Sequence, residues 1–202
     1  MALRTNLFDS TTFKVLEVNN IVGLRSGHML SQVVLPKNKF LDGAQTYIQN
    51  GEIVFLDVDG KLATLNKVGT TDGSTAITNA ADVKPQLQPF IIYNEELMTG
   101  PYTDLKYFAE VFDADNLCYP RALKLNVGDA FVTDNYVVGA GTQANGAYAT
   151  INANGKLSTS NVLPTTAYRG PLFAVATTYL PDGITVAMEF TVISLNVLFV
   201  AD

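Results

Sequence analysis

The chain has 202 residues, 48% of them hydrophobic and 16% charged, with a formal net charge of −6 and a pI near 4.7. That is enough apolar material for one large domain or two small ones, and it excludes disorder throughout. Thirteen scattered Lys and Arg exclude a phosphate-tracking nucleic-acid surface, while a single Cys and a single His exclude a disulfide framework and a Cys- or His-built metal site.

A surface this poor in charge leaves uncharged and apolar area for a partner. Residues 1–36 place Leu3, Leu7, Phe8, Phe13, Val15, Leu16 and Ile21 in a stretch with neither a 3.6 nor a 2.0 period. The reading is an extended N-terminal arm whose apolar residues anchor on a partner surface. The stretch has no uninterrupted apolar core of a leader, and no later run reaches the ~18 residues of a membrane span. The expectation is synthesis in a cytoplasm, with neither membrane nor nucleic acid as partner.

From about residue 40 the chain is rich in Val, Ile, Thr, Tyr and Phe and is punctuated by Asn-Gly, Asp-Gly and Pro, the writing of short strands and tight turns. "TDLKYFAEVFDAD" (103–115) fits a helix or a strand equally well, and the C-terminal "FTVISLNVLFV" reads as a buried strand. Cys118 reads as a small buried hydrophobe at a junction, and His28, with no nearby partner in sequence, as a surface or interface residue.

An internal repeat organises this region. "QNGEIVFLDVDGKLATLNKV" (Gln49 to Val68) aligns without gaps on "ANGAYATINANGKLSTSNVL" (Ala144 to Leu163), and "QPFIIY" and "GPLFAV" follow the two copies. The shared positions are turns: Asn50-Gly51 with Asn145-Gly146, and Asp59-Gly60 with Asn154-Gly155. The predicted architecture is all-β: an arm (1–36) followed by two related small β-barrel, β-tulip or sandwich modules (37–118 and 119–202).

"IVFLDVDGK" also resembles the first motif of the haloacid-dehalogenase-like phosphotransferases, with Asp57 as nucleophile and Asp59 as general acid. Gly128, Asp129 and Asp134 have the spacing of that superfamily's magnesium-binding motif, with Lys106 or Lys124 as the phosphate-stabilising lysine. The repeat weighs against it. The second copy has Asn152 and Asn154 where the acids stand, Lys61 replaces the expected Thr or Ser, and "GTTDGSTAITNAADVKPQLQP" (69–89), in the interval that must hold several βα units, carries no amphipathic helix. The expectation is therefore a chain without catalytic residues, cofactor or metal.

The "NG, apolar strand, DGKL or NGKL" hairpins followed by "PF" or "PL" strands, together with the apolar arm, resemble the head-decoration (cement) and related structural proteins of tailed bacteriophages. That resemblance implies β-modules that bind the major capsid protein on the outside of the particle, often as trimers, with an arm that staples neighbouring subunits. It implies a virion protein that stabilises a capsid. A tail or head-fibre component that binds a receptor or glycan is the alternative, and the phosphotransferase comes third. On this reading, deleting residues 1–36 should spare the folded modules and abolish particle binding.

Overall fold

The computed structural model of the chain describes residues 16–22, 29–30, 34–37, 47–56, 62–63, 89–94, 109–139, 147–151, 156–163, 168–179 and 186–199. Among these the fold is all-β, with a curled half-barrel sheet and no α-helix. A seven-stranded sheet runs, in spatial order, β1 (Leu16–Val22), β11 (Ala130–Thr133), β16 (Val186–Phe199), β15 (Tyr168–Tyr179), β13 (Ala147–Ile151), β14 (Leu157–Ser160) and β12 (Tyr136–Val138). A five-stranded sheet runs β2 (Met29–Leu30), β10 (Ala122–Lys124), β7 (Pro89–Ile92), β5 (Ile53–Leu56) and β6 (Leu62–Ala63). Two small ribbons pair β3 (Leu35–Pro36) with β9 (Leu117–Cys118) and β4 (Tyr47–Gln49) with β8 (Ala109–Val111). All pairs are antiparallel except β12 with β14.

Connectivity explains the curl. β11 is second and β12 seventh in the large sheet, a separation of about 24 Å if the sheet were flat at ~4.8 Å per strand. Yet only Asp134 and Asn135 join them, and the step from Thr133 to Tyr136 spans at most about 10 Å. The sheet must bend until its far edge approaches β11.

Side-chain alternation sets the layers. Phe131, the run Ala147, Ala149, Ile151, and the run Met188, Phe190, Val192 point to one core, where Ile53, Phe55, Ile91 and Leu123 of the five-stranded sheet meet them. The intervening residues Val54, Phe90, Ile92 and Ala122 point the other way, into a second core with Leu35, Ile48 and Cys118. Strands β5, β7 and β10 of the five-stranded sheet are thus buried on both faces, which is why "IVF" and "PFII" are unbroken apolar runs. At the centre of the first core, Phe131 stacks on Phe190 (5.8 Å between ring centroids) and Phe173 meets both edge-on.

The repeat is a unit of sheet. In the first copy Phe55 pairs with Ala63 and Leu56 with Leu62; in the second Thr150 pairs with Ser158 and Ile151 with Leu157, the same register residue for residue. β7 then lies beside β5 as β15 lies beside β13. Val54 faces Phe90 and Ala149 faces Phe173, so Phe173 stands one residue further from its proline than Phe90 does. Leu172 is the extra residue relative to the first copy, and beside it the β15–β16 register is interrupted by a bulge on β16, where Ile193 is skipped between the Leu172–Ser194 and Phe173–Val192 pairs.

Strand pairing crosses the borders drawn at residues 36 and 118: the five-stranded sheet joins β2, β5, β6 and β7 with β10. The ambiguous segment is strand over Ala109–Val111, and residues 103–108 lie outside the described residues. The C-terminal segment is strand, but its burial alternates, with Val192 in the core and Ile193 exposed. Cys118 is fully buried, its thiol 3.5 Å from the Leu35 carbonyl oxygen.

Candidate functional site

Two features gather the residues singled out by the sequence. The first is the N-terminal segment. Leu16 pairs with Thr133, Met29 with Leu123, Leu30 with Ala122, Leu35 with Cys118, and Pro36 with Leu117, and the Lys37 N–H donates to the Asn116 carbonyl at 2.8 Å. The described stretches 16–22, 29–30 and 35–36 therefore pair antiparallel with β11, β10 and β9 in turn, supplying β1 and β2 as edge strands of the two large sheets and β3 to a ribbon. A segment that contributes to three sheets in turn keeps no single burial pattern.

Its anchors divide. Leu16, expected to grip a partner, is only 4% exposed and lies in the first core of its own chain, so that expectation is corrected for it. The backbone of Ile21 belongs to β1. Leu3, Leu7, Phe8, Phe13 and Val15 lie outside the described residues. Leu35 fills the second core, so deleting residues 1–36 would remove a buried leucine from each core as well as three strands.

The second feature is the Asn50-Gly51 turn, which is no solvated hairpin tip. Asn50 is 2% exposed. Its carboxamide Nδ2 donates to the Asn94 carbonyl (3.1 Å) and its Oδ1 accepts from the Asn94 N–H (2.7 Å). Its backbone carbonyl accepts from Asn135 Nδ2 at 2.7 Å, and the Gly51 N–H donates to the Ile92 carbonyl at 3.0 Å. Gly51 has φ +84, and a Cβ there would stand 2.6 Å from Thr133 Oγ1. The turn thus plugs into the connector between β11 and β12, which is itself fixed by the Asn135 N–H donating to Thr133 Oγ1 (3.0 Å). Asn94 also accepts the Arg121 N–H at its Oδ1 (3.0 Å). Sequence reasoning found the turn but not its socket of Asn94, Thr133 and Asn135. Polar residues at strand ends look the same whether they meet water or another turn.

Asp57, Asp59, Gly60, Asn145, Gly146, Asn154, Gly155 and His28 lie outside the described residues. Asp129 and Asp134 stand at opposite ends of β11, about 16 Å apart along an extended strand, too far to share one cation. Asp129 is occupied in a turn, accepting the Asn126 N–H at 2.8 Å. Among the described residues no three His, Cys, Asp or Glu side chains gather to hold a metal, and no helix is long and apolar enough to cross a membrane. The phosphotransferase motifs also presuppose an α/β sheet, which is not what the described residues form. On the outside, Val137 and Val138 of β12, and Val162 and Leu163 just beyond its neighbour β14, are exposed.

No protein family, curated protein or solved structure matches the chain.

Proposed function

We propose that this chain is a non-enzymatic structural protein of a tailed-bacteriophage particle, one that binds the major capsid protein as a homo-oligomer and stabilises the outside of the capsid. The observation that supports the reading is the pairing of β1, β2 and β3, short strands of the N-terminal segment, with β11, β10 and β9 in turn. Strand addition is a general way for an extended segment to gain main-chain hydrogen bonds with a sheet edge. Residues 1–15, with Leu3, Leu7, Phe8, Phe13 and Val15, are the proposed staple to the capsid, and residues 16–37 tie that staple to the body. Each fully buried apolar anchor would contribute roughly 1.5–3 kcal/mol before ordering costs, multiplied by avidity in an oligomer. The chain would be made in the host cytoplasm and reside on the virion.

Quantitative mass spectrometry of purified particles from the source tests this. Copy numbers comparable with the capsid subunit support it. A few copies per particle move the chain to the tail or fibres, where receptor or glycan binding is the alternative, and complete absence overturns the virion reading. Within it, a chain lacking residues 1–15 should fold and fail to bind capsids. Full binding by that truncation overturns the staple. Residues 16–36 are kept in this test because Leu16 and Leu35 belong to the cores.

A further inference from the structure

We infer that Asn50-Gly51 is a conformationally gated self-modification site, closed while the turn is seated and converted irreversibly to aspartate or isoaspartate once the turn leaves its socket. An Asn followed by Gly is chemically disposed to cyclise. The Gly51 nitrogen loses its proton and bonds to Asn50 Cγ, and the Cγ–Nδ2 bond breaks, releasing ammonia. Water then opens the imide at either carbonyl. No oxidant, metal or second protein is needed.

The fold blocks each movement this reaction requires. For the nitrogen to reach Cγ, the Asn50–Gly51 peptide plane and the Asn50 side chain must rotate toward each other. That plane is clamped at both ends, its oxygen by Asn135 Nδ2 (2.7 Å) and its N–H by the Ile92 carbonyl (3.0 Å). The carboxamide is clamped too, with both of its polar atoms on the Asn94 backbone. Gly51 has no room to swing, since Thr133 and Asn135 already lie within van der Waals reach of its missing Cβ. The clamps come from two places, the end of β7 and the connector after β11, so local fraying of one strand does not release them all.

The product cannot reseat. In the socket Nδ2 donates to the Asn94 carbonyl. An aspartate presents a carboxylate oxygen to that carbonyl instead, a buried charge facing an acceptor. Isoaspartate adds a methylene to the main chain and breaks the turn's register with both clamps. Each opening that lasts long enough for cyclisation therefore removes a molecule from the folded pool, and the fraction converted records how often the turn has opened. This holds whatever partner the chain binds.

The test is a time course on the full chain at mildly alkaline pH and 37 °C, in native buffer and in strong urea, reading the one-dalton gain at residue 50 by peptide mass spectrometry. We expect conversion in native buffer to be slower by about a hundredfold or more, because it requires opening of the turn. Asn135→Ala should accelerate native-state conversion by roughly tenfold by freeing the peptide oxygen. Chains converted in urea and then diluted should elute outside the folded peak, and Asn50→Asp should behave likewise. Equal rates in native buffer and urea would overturn the gating, a reading that needs no variant to fold. Converted chains that regain the unmodified melting temperature would overturn the irreversibility.

Discussion

The two copies of the repeat form the same hairpin, in the same register, in different layers of the molecule. β5 and β6 belong to the five-stranded sheet, and β5 is covered on both sides; β13 and β14 belong to the seven-stranded sheet and turn one face outward. The shared core receives non-equivalent faces. Ile53 and Phe55 point into it from the first copy, whereas Ala149 and Ile151, aligned with Val54 and Leu56, point into it from the second. Two units facing each other across a two-fold axis would present the same face. These two are stacked in the same sense, the top of one on the bottom of the other. The sequence difference follows from this. "IVF" (53–55) is apolar and buried at successive positions because both faces of β5 are covered, while "AYATI" alternates because only Ala147, Ala149 and Ile151 are buried.

The sharpest way to break the comparison is to exchange aligned residues. Phe55→Thr places a hydroxyl and a cavity in the first core and should cost about 3–5 kcal/mol in urea denaturation. The reciprocal Thr150→Phe lies on the outward face of β13 and should change stability by no more than about 0.5 kcal/mol. Equal costs would mean that the two hairpins do not occupy different layers.

Much of this was legible in the residues. The gapless alignment from Gln49 to Val68 predicts both hairpins and their common register, because Asn-Gly and Gly-Lys-Leu fix turn positions and a β-hairpin's register follows from its turn. The layering was not legible. A continuous apolar run such as "IVFL" states that a strand is covered on both sides but not by what, and the second core includes Leu35 from a segment with no periodicity at all. Leu16 illustrates the same limit: an apolar residue in an extended arm reads alike whether its pocket lies in its own chain or another. Nor could the sequence show that Asn50-Gly51 is buried, since its socket comes from residues 94 and 133–135, far along the chain.

Two glycines separate conformation from packing. Gly51 (φ +84) and Gly128 (φ +91) share the left-handed backbone region, but a Cβ at Gly51 meets Thr133 Oγ1 at 2.6 Å whereas at Gly128 it meets nothing within 4 Å. Gly128→Ala should cost only the backbone term, about 1–2 kcal/mol, while Gly51→Ala should add a packing penalty of roughly 1–3 kcal/mol. Thr133→Ala in the Gly51→Ala background should recover part of that excess, read as a coupling energy in a double-mutant cycle. Independent, additive effects would show that the first copy's turn is not seated on the connector between β11 and β12.

The smallest effect tests the outward face of the second copy. Thr150 and Ser158 are directly paired across β13 and β14, where the aligned pair in the first copy is Phe55 with Ala63. Because this face of β13 is only partly covered, a larger β-branched residue has room, and strand preference rather than core volume decides the outcome. Ser158→Thr keeps the hydroxyl and adds a methyl against Thr150, so it should stabilise the chain by roughly 0.2–1 kcal/mol, seen as a higher urea midpoint at unchanged slope. Ala63→Thr at the aligned position should do the opposite, since its cross-strand partner Phe55 is already packed in the first core. Opposite signs at aligned positions are what two copies of one hairpin in two layers require. The same sign at both would place the two hairpins in equivalent surroundings and undo the stacking in one sense.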